Sequence, residues 1–300
     1  MKRECMATVG VIGLGAMGAP IARNLLKGGH TVTVFARRPE AMAPLIALGA
    51  AGASSPAEAA SRSDVIITMV IDTQAVEAVA LGPRGIIEGA TPGSVVVDHS
   101  TIDPDGARRI ASALKARGID MIDAPVSGGA AVAEAGALSI MAGGDEAVLD
   151  RIRPILACYG KTTVHIGPSG AGQVAKACNQ ICTIVNTLGA AEAMLMAERA
   201  GIDPAKVKDV LMTGFAASRM LEMQAPKMIA RDFDGKVESR LHYKDIRIVL
   251  AMARALGIEL PASAAAAKVL TELQNRGGAK SDTAAVFTIL ADPTSPNPNP

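Results

Sequence analysis

The fold of this chain is decided near its start by the stretch TVGVIGLGAMG, residues Thr8–Gly18. The first half of the stretch, which ends at Ile12, is mostly apolar and β-branched, and the second half reads Gly-x-Gly-x-x-Gly. A helical pattern follows up to Lys27. In such a strand–turn–helix unit the first glycine permits a tight turn, the second lets a pyrophosphate approach the backbone, and the third lets the helix pack closely on the strand. Free N–H groups at the start of the helix then favour an anion.

The glycine turn therefore predicts a dinucleotide cofactor. A glycine-rich turn without a ligand is the alternative, but strand, turn and helix are all in place here. The residues expected to contact the cofactor at the turn are Gly13, Leu14, Gly15, Ala16, Met17 and Gly18. Met69 and Val70, at the end of the predicted strand Asp64–Val70, are two further cofactor-binding candidates.

The end of the second predicted strand, Thr31–Phe35, indicates which dinucleotide is bound. An NAD site uses an acidic residue about 20 residues after the glycines to accept a hydrogen bond from the ribose 2′-hydroxyl. No acid lies between Ala19 and Pro39, and the strand runs instead into Arg37 and Arg38. Guanidinium groups pair well with a 2′-phosphate, although two arginines could also simply solvate a turn. We predict NADP as the cofactor, with NAD as the alternative.

Short β-branched runs alternate with helical patterns through the first half of the chain. The predicted strands are Thr8–Ile12, Thr31–Phe35, Asp64–Val70, Ser94–Asp98, Ile119–Ala124, Ala137–Met141 and Thr162–His165. The predicted helices are Met17–Lys27, Glu40–Leu48, Pro56–Ser61, Thr73–Leu81, Pro104–Arg117 and Asp145–Ala157. This alternation predicts an α/β fold of the Rossmann type, a doubly wound parallel sheet with helices on both faces.

After Pro168 the pattern changes to helices alone. The segment Gly172–Ala200 contains no proline, and Gly189 is its only internal glycine. A long, alanine-rich helix with little polar face must be buried on several sides, which favours a helical domain that also forms a subunit contact. We predict a dinucleotide-binding domain over residues 1–168, an all-helical domain over residues 169–292 and a disordered tail over residues 293–300.

The composition excludes several classes of protein. Hydrophobic residues are 49% of the chain and charged ones 20%, so the chain can bury a sizeable core. Thirty Lys and Arg against 29 Asp and Glu leave a net charge of +1, and the chain has no Trp, 2 Tyr and 4 Phe. Nucleic-acid binders need a basic face or aromatic stacking platforms, so we expect no nucleic-acid partner. The most apolar run, Val65–Ile71, is far shorter than a membrane helix, so we expect no membrane partner.

The cysteines predict a compartment and exclude one kind of site. The chain has 4, spaced neither for disulfides nor for zinc, which is typical of free thiols in a reducing cytoplasm. No apolar run of a signal peptide precedes the first glycines. Cys178 and Cys182 lie on one helix face, but no histidine nearby completes a metal set, so we expect both in the core and no metal.

The segment Asp123–Gly129 supplies one set of candidate reaction residues. It ends a predicted strand, which is where open α/β sheets bind their ligands. Ser127 offers a hydroxyl, and the N–H groups of Gly128 and Gly129 could hold a carboxylate. We therefore expect a substrate-binding loop here.

A second set lies on the long helix. At 100° per residue, Lys176, Asn179 and Gln180 share one face. A lysine on a helix is usually only a solvated charge. Lys176, however, lies in an otherwise apolar helix just after the domain junction, so we expect it in a cleft between the domains.

Five motifs together resemble the β-hydroxyacid dehydrogenase family in their order and spacing. They are Gly13–Gly18, Asp98–Pro104, Asp123–Gly129, Gly172–Lys176 and the pair Lys244 and Asp245. The resemblance covers nearly the whole chain and implies a Rossmann-type domain followed by an all-helical domain, in a homodimer or homotetramer. It implies that Lys176 is the catalytic residue and that Thr101 and Lys244 lie beside cofactor and substrate. The substrate carboxylate would bind at Ser127, Gly128 and Gly129.

Within the family, Gln180, Gly214–Glu222 and Leu241–Asp245 most resemble the tartronate semialdehyde reductases. The resemblance then implies NADPH-dependent reduction of a short 3-oxo acid to a 3-hydroxy acid. Lys176 would stabilise the carbonyl oxygen and donate the proton, while Asn179 and Gln180 orient the substrate. The alternatives are a dehydrogenase of 3-hydroxyisobutyrate or a similar short acid and, in a different class, a catalytically idle NADP-binding scaffold. Retention of the lysine argues against an idle scaffold and against the imine reductases, which resemble this scaffold but replace that lysine.

Overall fold

In the computed structural model, which describes residues 6–235 and 237–292, a nine-stranded β-sheet organises the first half of the chain. The strands are β1 Thr8–Ile12, β2 Thr31–Phe35, β3 Ala51–Gly52, β4 Val65–Thr68, β5 Val95–Asp98, β6 Asp120–Asp123, β7 Val126–Ser127, β8 Leu138–Gly143 and β9 Gly160–Gly167. The helices of this half are α1 Gly18–Lys27, α2 Ala43–Ile46, α3 Pro56–Ser61, α4 Thr73–Leu81, α5 Ile86–Gly89, α6 Pro104–Lys115, α7 Gly129–Glu134 and α8 Glu146–Leu156.

The strand order β3-β2-β1-β4-β5-β6 is parallel throughout and winds outward from β1 in both directions. Ile12 at the end of β1 is in register with Phe35 of β2 and with Thr68 of β4. The carboxyl ends of β1 and β4 therefore form the switch point at which doubly wound sheets bind their ligands.

The two faces of the sheet carry separate cores. On β4, Val65 and Ile67 pack with Ile21 and Leu25 of α1 on one face. The residue between them, Ile66, belongs to the core of the other face. Because successive strand residues point to opposite faces, a strand buried on both faces must be apolar at every position. The predicted doubly wound α/β fold is confirmed.

The sheet departs from the expected parallel arrangement after Asp123. Strand β8 runs antiparallel to both β6 and β7, and β9 runs parallel to β8. The connection Gly128–Ala137 is too short for the crossover that a parallel neighbour of β7 would require, so the chain turns back on itself. This return strand lies beside β6, at the end of the sheet that carries the predicted substrate loop.

The rest of the described chain is helical, apart from an isolated β-bridge between Glu238 and Asp282. The helices are α9 Ala171–Arg199, α10 Pro204–Leu211, α11 Arg219–Ala230, α12 Ser239–Ala255, α13 Pro261–Asn275 and α14 Val286–Ala291. The chain separates into two compact units between Lys176 and Ala177, inside α9. The domain ranges 1–168 and 169–292 stay predictions, and the predicted tail at 293–300 lies outside the described residues.

Helix α9 is the longest element in the described part of the chain. By length and composition alone it could cross a membrane, a test that core helices of soluble proteins also pass. Ile184 and Met194 on this helix pack in the core of the helical unit with Leu221 and Phe287. The predicted core positions of Cys178 and Cys182 are wrong, because both are exposed on the face of α9 that points away from Lys176.

Four short elements have no counterpart among the predictions: β3, β7, α5 and α7. Strands of two residues and helices of four to six are too short to show a period in the sequence. One of them, α7, begins at Gly129 directly after the predicted substrate loop.

Candidate active site

The glycine turn has a backbone that only glycine fits at two of its three positions. Gly13 has φ +96°, and a Cβ there would lie 2.3 Å from the carbonyl oxygen of Met69. A Cβ on Gly18 would lie 1.9 Å from the carbonyl oxygen of Gly13, so the helix approaches the turn closely. At Gly15 a Cβ would meet no atom within 4 Å. The turn is thus tightly closed on the protein side and open at Gly15, which is the cradle that a pyrophosphate needs.

The strand ends around the turn are tied to it by backbone bonds. The N–H of Gly13 donates to the carbonyl of Phe35 at 3.0 Å, and that of Met69 donates to the carbonyl of Ile12 at 2.9 Å. The N–H of Val70 donates to the hydroxyl of Ser100 at 3.0 Å. Met69 and Val70 therefore connect the glycine turn with the loop that follows β5.

Arg37 and Arg38 follow β2, and both side chains are exposed. Arg38 Nε is 3.9 Å from Glu40 Oε1, a loose ion pair in which both side chains are more than two-thirds exposed. Such a pair costs little to break. Because β2 adjoins β1, the two arginines and the glycine turn lie at the same carboxyl edge of the sheet. These residues together fit a nicotinamide dinucleotide.

Two buried carboxyl groups lie at the carboxyl ends of β5 and β6. Asp98 and Asp123 are register partners on these strands. Asp98 Oδ1 accepts from the hydroxyl of Thr68 at 2.8 Å. Asp123 accepts from the N–H of Gly170 at 2.7 Å and from the N–H of Gln173 at 3.0 Å. Asp123 thereby satisfies N–H groups at the start of α9, which have no partner within the helix.

The surroundings of Asp123 shift its pKa. Burial raises the pKa of this carboxyl group to about 7, the N–H donors of Gly170 and Gln173 oppose the rise, and the charge of Asp98 adds to it. Near neutral pH the group is therefore close to half protonated. A neutral carboxyl group in this position avoids two negative charges on adjacent buried strand ends.

The side chain of Gln173 joins α9 to the loop after β5. Its Nε2 donates to the carbonyl of Ser100 at 2.9 Å, and its Oε1 accepts from the N–H of Ile102 at 3.0 Å. Thr101, the predicted substrate- and cofactor-binding residue, is the one residue between these two bonds. Gln173 is almost fully buried, so neither bond competes with water.

Lys176 is buried one turn further along α9, with 8% of its surface exposed. Its Nζ donates to the carbonyl oxygen of Val126 at 2.8 Å. The close approach of α9 to the sheet depends on Gly172, where a Cβ would lie 2.4 Å from the carbonyl oxygens of Asp123 and Met141. The lysine is thus held beside the predicted substrate loop.

That loop follows Val126 directly. Ser127 pairs with Ser139 of β8, while Gly128 and Gly129 have φ of +141° and +75°. A side chain at either glycine would be strained, so these positions present backbone N–H groups without a side chain in front of them. The first unit therefore brings together Lys176, the Ser127 loop and the Thr101 loop.

His99 connects the Thr101 loop with the Ser127 loop. One ring nitrogen bonds the carbonyl of Ala124 at 2.5 Å and the other bonds the hydroxyl of Tyr159 at 2.9 Å. Burial lowers the pKa of His99 to about 4, so the ring is neutral at physiological pH. The bond to Ala124 holds the start of the Thr101 loop against the start of the Ser127 loop, and the bond to Tyr159 holds it against the start of β9.

Asn179, Gln180 and Lys244, which the sequence also places at the site, lie in the helical unit. Asn179 Nδ2 donates to Gln180 Oε1 at 2.8 Å, and Gln180 Nε2 donates to Asp245 Oδ2 at 2.5 Å. Lys244 Nζ is 3.0 Å from Asp245 Oδ1. An ordered chain of polar groups thus runs from Lys244 on α12 to Asn179 on α9.

Sequence reasoning missed the supporting residues. Asp123 and Gln173 belong to the motifs Asp123–Gly129 and Gly172–Lys176, but the sequence does not show that the N–H of Gln173 donates to the carboxyl group of Asp123. The same holds for Asp245, whose partner Gln180 is far away in sequence. The only indication in the sequence was the residue type of these three side chains, because an acid or an amide in an otherwise apolar segment usually has a buried hydrogen-bond partner.

Comparison with known proteins identifies the family. Residues 8–167 match the family described as the NAD binding domain of 6-phosphogluconate dehydrogenase. Residues 170–290 match the family described as NAD-binding of NADP-dependent 3-hydroxyisobutyrate dehydrogenase. The two matches cover the glycine turn and the lysine-bearing helix respectively.

Relatives of similar length are named oxidoreductases. The chain is 40% identical over 282 residues to the 2-hydroxy-3-oxopropionate reductase of Escherichia coli, covering 94% of this chain and 96% of the relative. It is 36% identical over 296 residues to an NAD-dependent L-serine dehydrogenase of Pseudomonas aeruginosa, covering 96% and 99%. It is 37% identical over 270 residues to a 3-hydroxyisobutyrate dehydrogenase of the same organism, covering 87% and 90%.

Solved structures agree in fold. A 3-hydroxyisobutyrate dehydrogenase from Salmonella typhimurium has a TM-score of 0.88 at 35% identity, covering 94% of this chain and 99% of that one. A structure of Psf3 in complex with NADP+ and 2-OPP has a TM-score of 0.86 at 29% identity, covering 94% and 99%. The cradle at Gly15, the buried lysine and these matches lead to one conclusion: the chain belongs to the β-hydroxyacid dehydrogenase family and is an NAD(P)-dependent oxidoreductase.

Proposed function

We propose that the chain reduces 2-hydroxy-3-oxopropionate, also called tartronate semialdehyde, to glycerate with NADPH, and that Lys176 is the general acid. The observation that carries the proposal is the buried ammonium group of Lys176, held against Val126 at the edge of the Ser127 loop. The Escherichia coli relative named above and the amide Gln180 support this choice of substrate.

A nicotinamide cofactor supplies the hydride that reduces the aldehyde carbon. As the carbonyl oxygen gains negative charge, Lys176 stabilises it and donates the proton. The bond to Val126 fixes the ammonium group before substrate binds, so little side-chain freedom is lost during the reaction. Asp123 and Gln173 hold the start of α9 and so keep the lysine in place.

The substrate carboxylate binds to the hydroxyl of Ser127 and the N–H groups of Gly128 and Gly129 in this proposal. Two residues in left-handed or similarly restricted conformations form a concave backbone surface that suits an anion. Thr101 lies on the loop after β5, between substrate and cofactor. Asn179 and Gln180 orient the remainder of the substrate.

We propose NADPH rather than NADH as the preferred cofactor. Arg37 and Arg38 follow β2 where an NAD site carries an acid, and both are exposed and available to a 2′-phosphate. In this proposal the glycine turn would hold the pyrophosphate, and Met69, Val70, Thr101 and Lys244 are the further residues that would hold the cofactor. Relatives of both kinds occur, since one is named NAD-dependent and another was solved with NADP+.

The second candidate substrate is the aldehyde of 3-hydroxyisobutyrate. It is favoured by the similarity to the Pseudomonas aeruginosa and Salmonella typhimurium dehydrogenases. A catalytically idle scaffold is disfavoured, because a buried ammonium group is costly to keep and serves no purpose in cofactor binding alone.

We also propose a homodimer or homotetramer formed through the helical unit, in the cytoplasm. Large apolar side chains on this unit are exposed, among them Met196 on α9 and Phe215, and a second copy of the chain would cover them. The free, exposed thiols of Cys178 and Cys182 suit a reducing compartment. Light scattering of the purified protein measures the oligomeric state.

The decisive experiment is NADPH oxidation with tartronate semialdehyde, run beside methylmalonate semialdehyde and repeated with NADH. We expect the highest kcat/KM for tartronate semialdehyde with NADPH. Preference for methylmalonate semialdehyde would favour the second candidate. If neither aldehyde is reduced with either cofactor, the substrate assignment is wrong and a wider series of aldehydes must be tested.

A further inference from the structure

Two neighbouring side chains of α1 bond the C-terminal end of α7. Asn24 is buried, and its Nδ2 donates to the carbonyl oxygen of Ala133 at 2.8 Å and lies 3.5 Å from that of Glu134. Arg23 donates twice to the carboxylate of Glu134, from Nε at 3.1 Å and from Nη2 at 2.5 Å. The last carbonyl groups of a helix have no partner inside it, so the amide of Asn24 caps α7.

These polar bonds matter because α7 has little apolar packing of its own. Of its six residues, Gly129–Glu134, Ala133 is the one that is buried. A helix that short and that exposed is held weakly by its own burial. The bonds from Arg23 and Asn24 are therefore the specific contacts that fix where α7 lies against α1.

The N-terminal end of α7 is part of the Ser127 loop. Gly129 is the first residue of the helix and Gly128 is its N-cap. The backbone of Gly128 also lies against α7, because a Cβ at Gly128 would be 2.7 Å from Val132 Cγ1. A displacement of α7 therefore moves the N–H groups that Gly128 and Gly129 present.

Helix α1 begins at the glycine turn. Gly18 is the last glycine of that turn and the first residue of the helix, and Asn24 lies about 9 Å further along the helix axis. One element thus carries part of the cofactor cradle at its start and the bonds to α7 in its second half. The distance between cofactor and Ser127 loop depends on how α1 holds α7.

We propose that Asn24 and Arg23 are positioning residues for the substrate carboxylate. By fixing α7 they keep the N–H groups of Gly128 and Gly129 aimed at one anion, and the selection of acidic aldehydes over uncharged ones depends on them. Both residues act through α7 and not by touching the substrate. This inference rests on the proposed function, in which the Ser127 loop binds the carboxylate.

The test compares two aldehydes that differ by a carboxylate. Glycolaldehyde has the hydroxyl group and the aldehyde of tartronate semialdehyde but lacks its carboxylate. NADPH oxidation gives kcat/KM for each, and the ratio of the two values measures recognition of the carboxylate. For the wild type we expect a ratio of at least about 100, since a site built to bond a polar group rejects an analogue without it. Propionaldehyde is the matched partner if methylmalonate semialdehyde is the better substrate.

Asn24→Leu removes the amide and keeps a side chain of similar shape. We expect the ratio to fall about ten-fold through a higher KM for tartronate semialdehyde, because a small displacement of the binding groups is costly. The kcat/KM for glycolaldehyde and the Kd of NADPH should each change only a few-fold. A loss of folded protein alone would lower the rates with both aldehydes equally and leave the ratio unchanged.

Arg23→Glu is the second variant and serves if Asn24→Leu folds poorly, because the side chains of Arg23 and Glu134 are both partly exposed. It places two carboxylates opposite each other, and their repulsion moves α7 away from α1. We expect the ratio to fall several-fold. Arg23→Glu combined with Glu134→Arg restores an oppositely charged pair and should recover most of the wild-type ratio.

Ser63→Ala is the matched control. Ser63 is a buried polar residue of the same unit, and its hydroxyl donates to the carbonyl oxygen of Ala59 at 2.8 Å. Within residues 6–235 and 237–292 its side chain makes no hydrogen bond to α1 or α7. This variant should lose thermal stability and keep the wild-type ratio.

The outcomes separate the inference from the proposed function. If the wild type prefers the acidic aldehyde but Asn24→Leu and Arg23→Glu keep its ratio, the inference is overturned and the proposed function stands. The same holds if Ser63→Ala lowers the ratio as much as Asn24→Leu does. If the wild type reduces both aldehydes equally well, or neither, the proposed function fails and the inference fails with it.

Discussion

The ammonium group of Lys176 donates to the carbonyl oxygen of Val126 at 2.8 Å, one residue before the loop that begins at Ser127. The catalytic candidate and the carboxylate-binding candidate are thus joined by a direct bond. The bond exists because the first turn of α9 packs on the sheet at Gly172, with no side chain between them. A lysine held in this way needs little rearrangement to meet a carbonyl oxygen.

Replacing Lys176 by methionine tests its role in the reaction. The change keeps the apolar stem and removes the charge and the proton, so we expect turnover to fall by about 10²–10⁴. The Kd of NADPH should stay within a few-fold, because the glycine turn is untouched. Lys227→Met, at a half-buried lysine paired with Asp282, is the control and should lower stability without lowering turnover. Near wild-type turnover in Lys176→Met would remove this residue from the mechanism.

Arg37→Ser and Arg38→Ser test the choice of cofactor. A charge-assisted hydrogen bond contributes about 1.5–3 kcal/mol, so loss of an arginine that binds the 2′-phosphate should raise the Kd of NADPH roughly 10- to 100-fold. The Kd of NADH should hardly change. Arg117→Ser is a suitable control, since Arg117 is exposed just before β6, at the opposite edge of the sheet. Equal weakening of NADPH and NADH would contradict the assignment.

Gln173→Met tests whether the Thr101 loop must be held by α9. The variant leaves the carbonyl of Ser100 and the N–H of Ile102 without the bonds that flank Thr101, at a cost of about 1–3 kcal/mol in the free energy of unfolding. We expect kcat/KM to fall about 10- to 100-fold, by analogy with the cost of a small misplacement of reacting groups.

A buried glutamine elsewhere provides the control for that loss of stability. Gln224 on α11 is about as buried as Gln173 and has no bond to the Thr101 loop. Gln224→Met should therefore retain activity even where its stability changes. A Gln173→Met enzyme with normal kcat/KM would show that the two bonds serve stability alone.

The contributions of the buried groups His99 and Asp123 to the pH dependence of stability should cancel in mild acid. The pKa of His99 is about 4 in the folded chain and 6.5 unfolded, so below 6.5 the unfolded state binds the extra proton and acid lowers stability. The pKa of Asp123 is about 7 folded and 3.8 unfolded, so between these values the folded state binds the extra proton and acid raises stability. Between about pH 4 and 6.5 the two proton counts cancel.

Single substitutions remove the cancellation. In His99→Gln the free energy of unfolding should increase as the pH falls from 6.5 to 4.5, by up to about 1.4 kcal/mol per pH unit. In Asp123→Asn it should decrease by a similar amount over the same range. Urea denaturation at several pH values measures both slopes. Two variants with the same pH dependence as the wild type would contradict the assignment of these pKa shifts.

The sequence predicted most of the features that depend on residues within a single strand or helix. The strand before Gly13 and the helix after Gly18 are where the pattern predicts them, because a buried strand and an amphipathic helix repeat every 2 and about 3.6 residues. The family and the reaction class follow from such local motifs. Very short elements such as α7 escaped prediction because they contain too few residues for a period.

The α/β architecture, the dinucleotide cradle and the type of chemistry can thus be predicted from the sequence, since each depends on residues that are neighbours in the chain. The bonds of Lys176 to Val126, of Gln173 to the residues on either side of Thr101 and of Gln180 to Asp245 become visible only in the folded chain. The partners in each of these bonds are distant in sequence, and a buried polar group finds its partner only when the packing of the elements is complete.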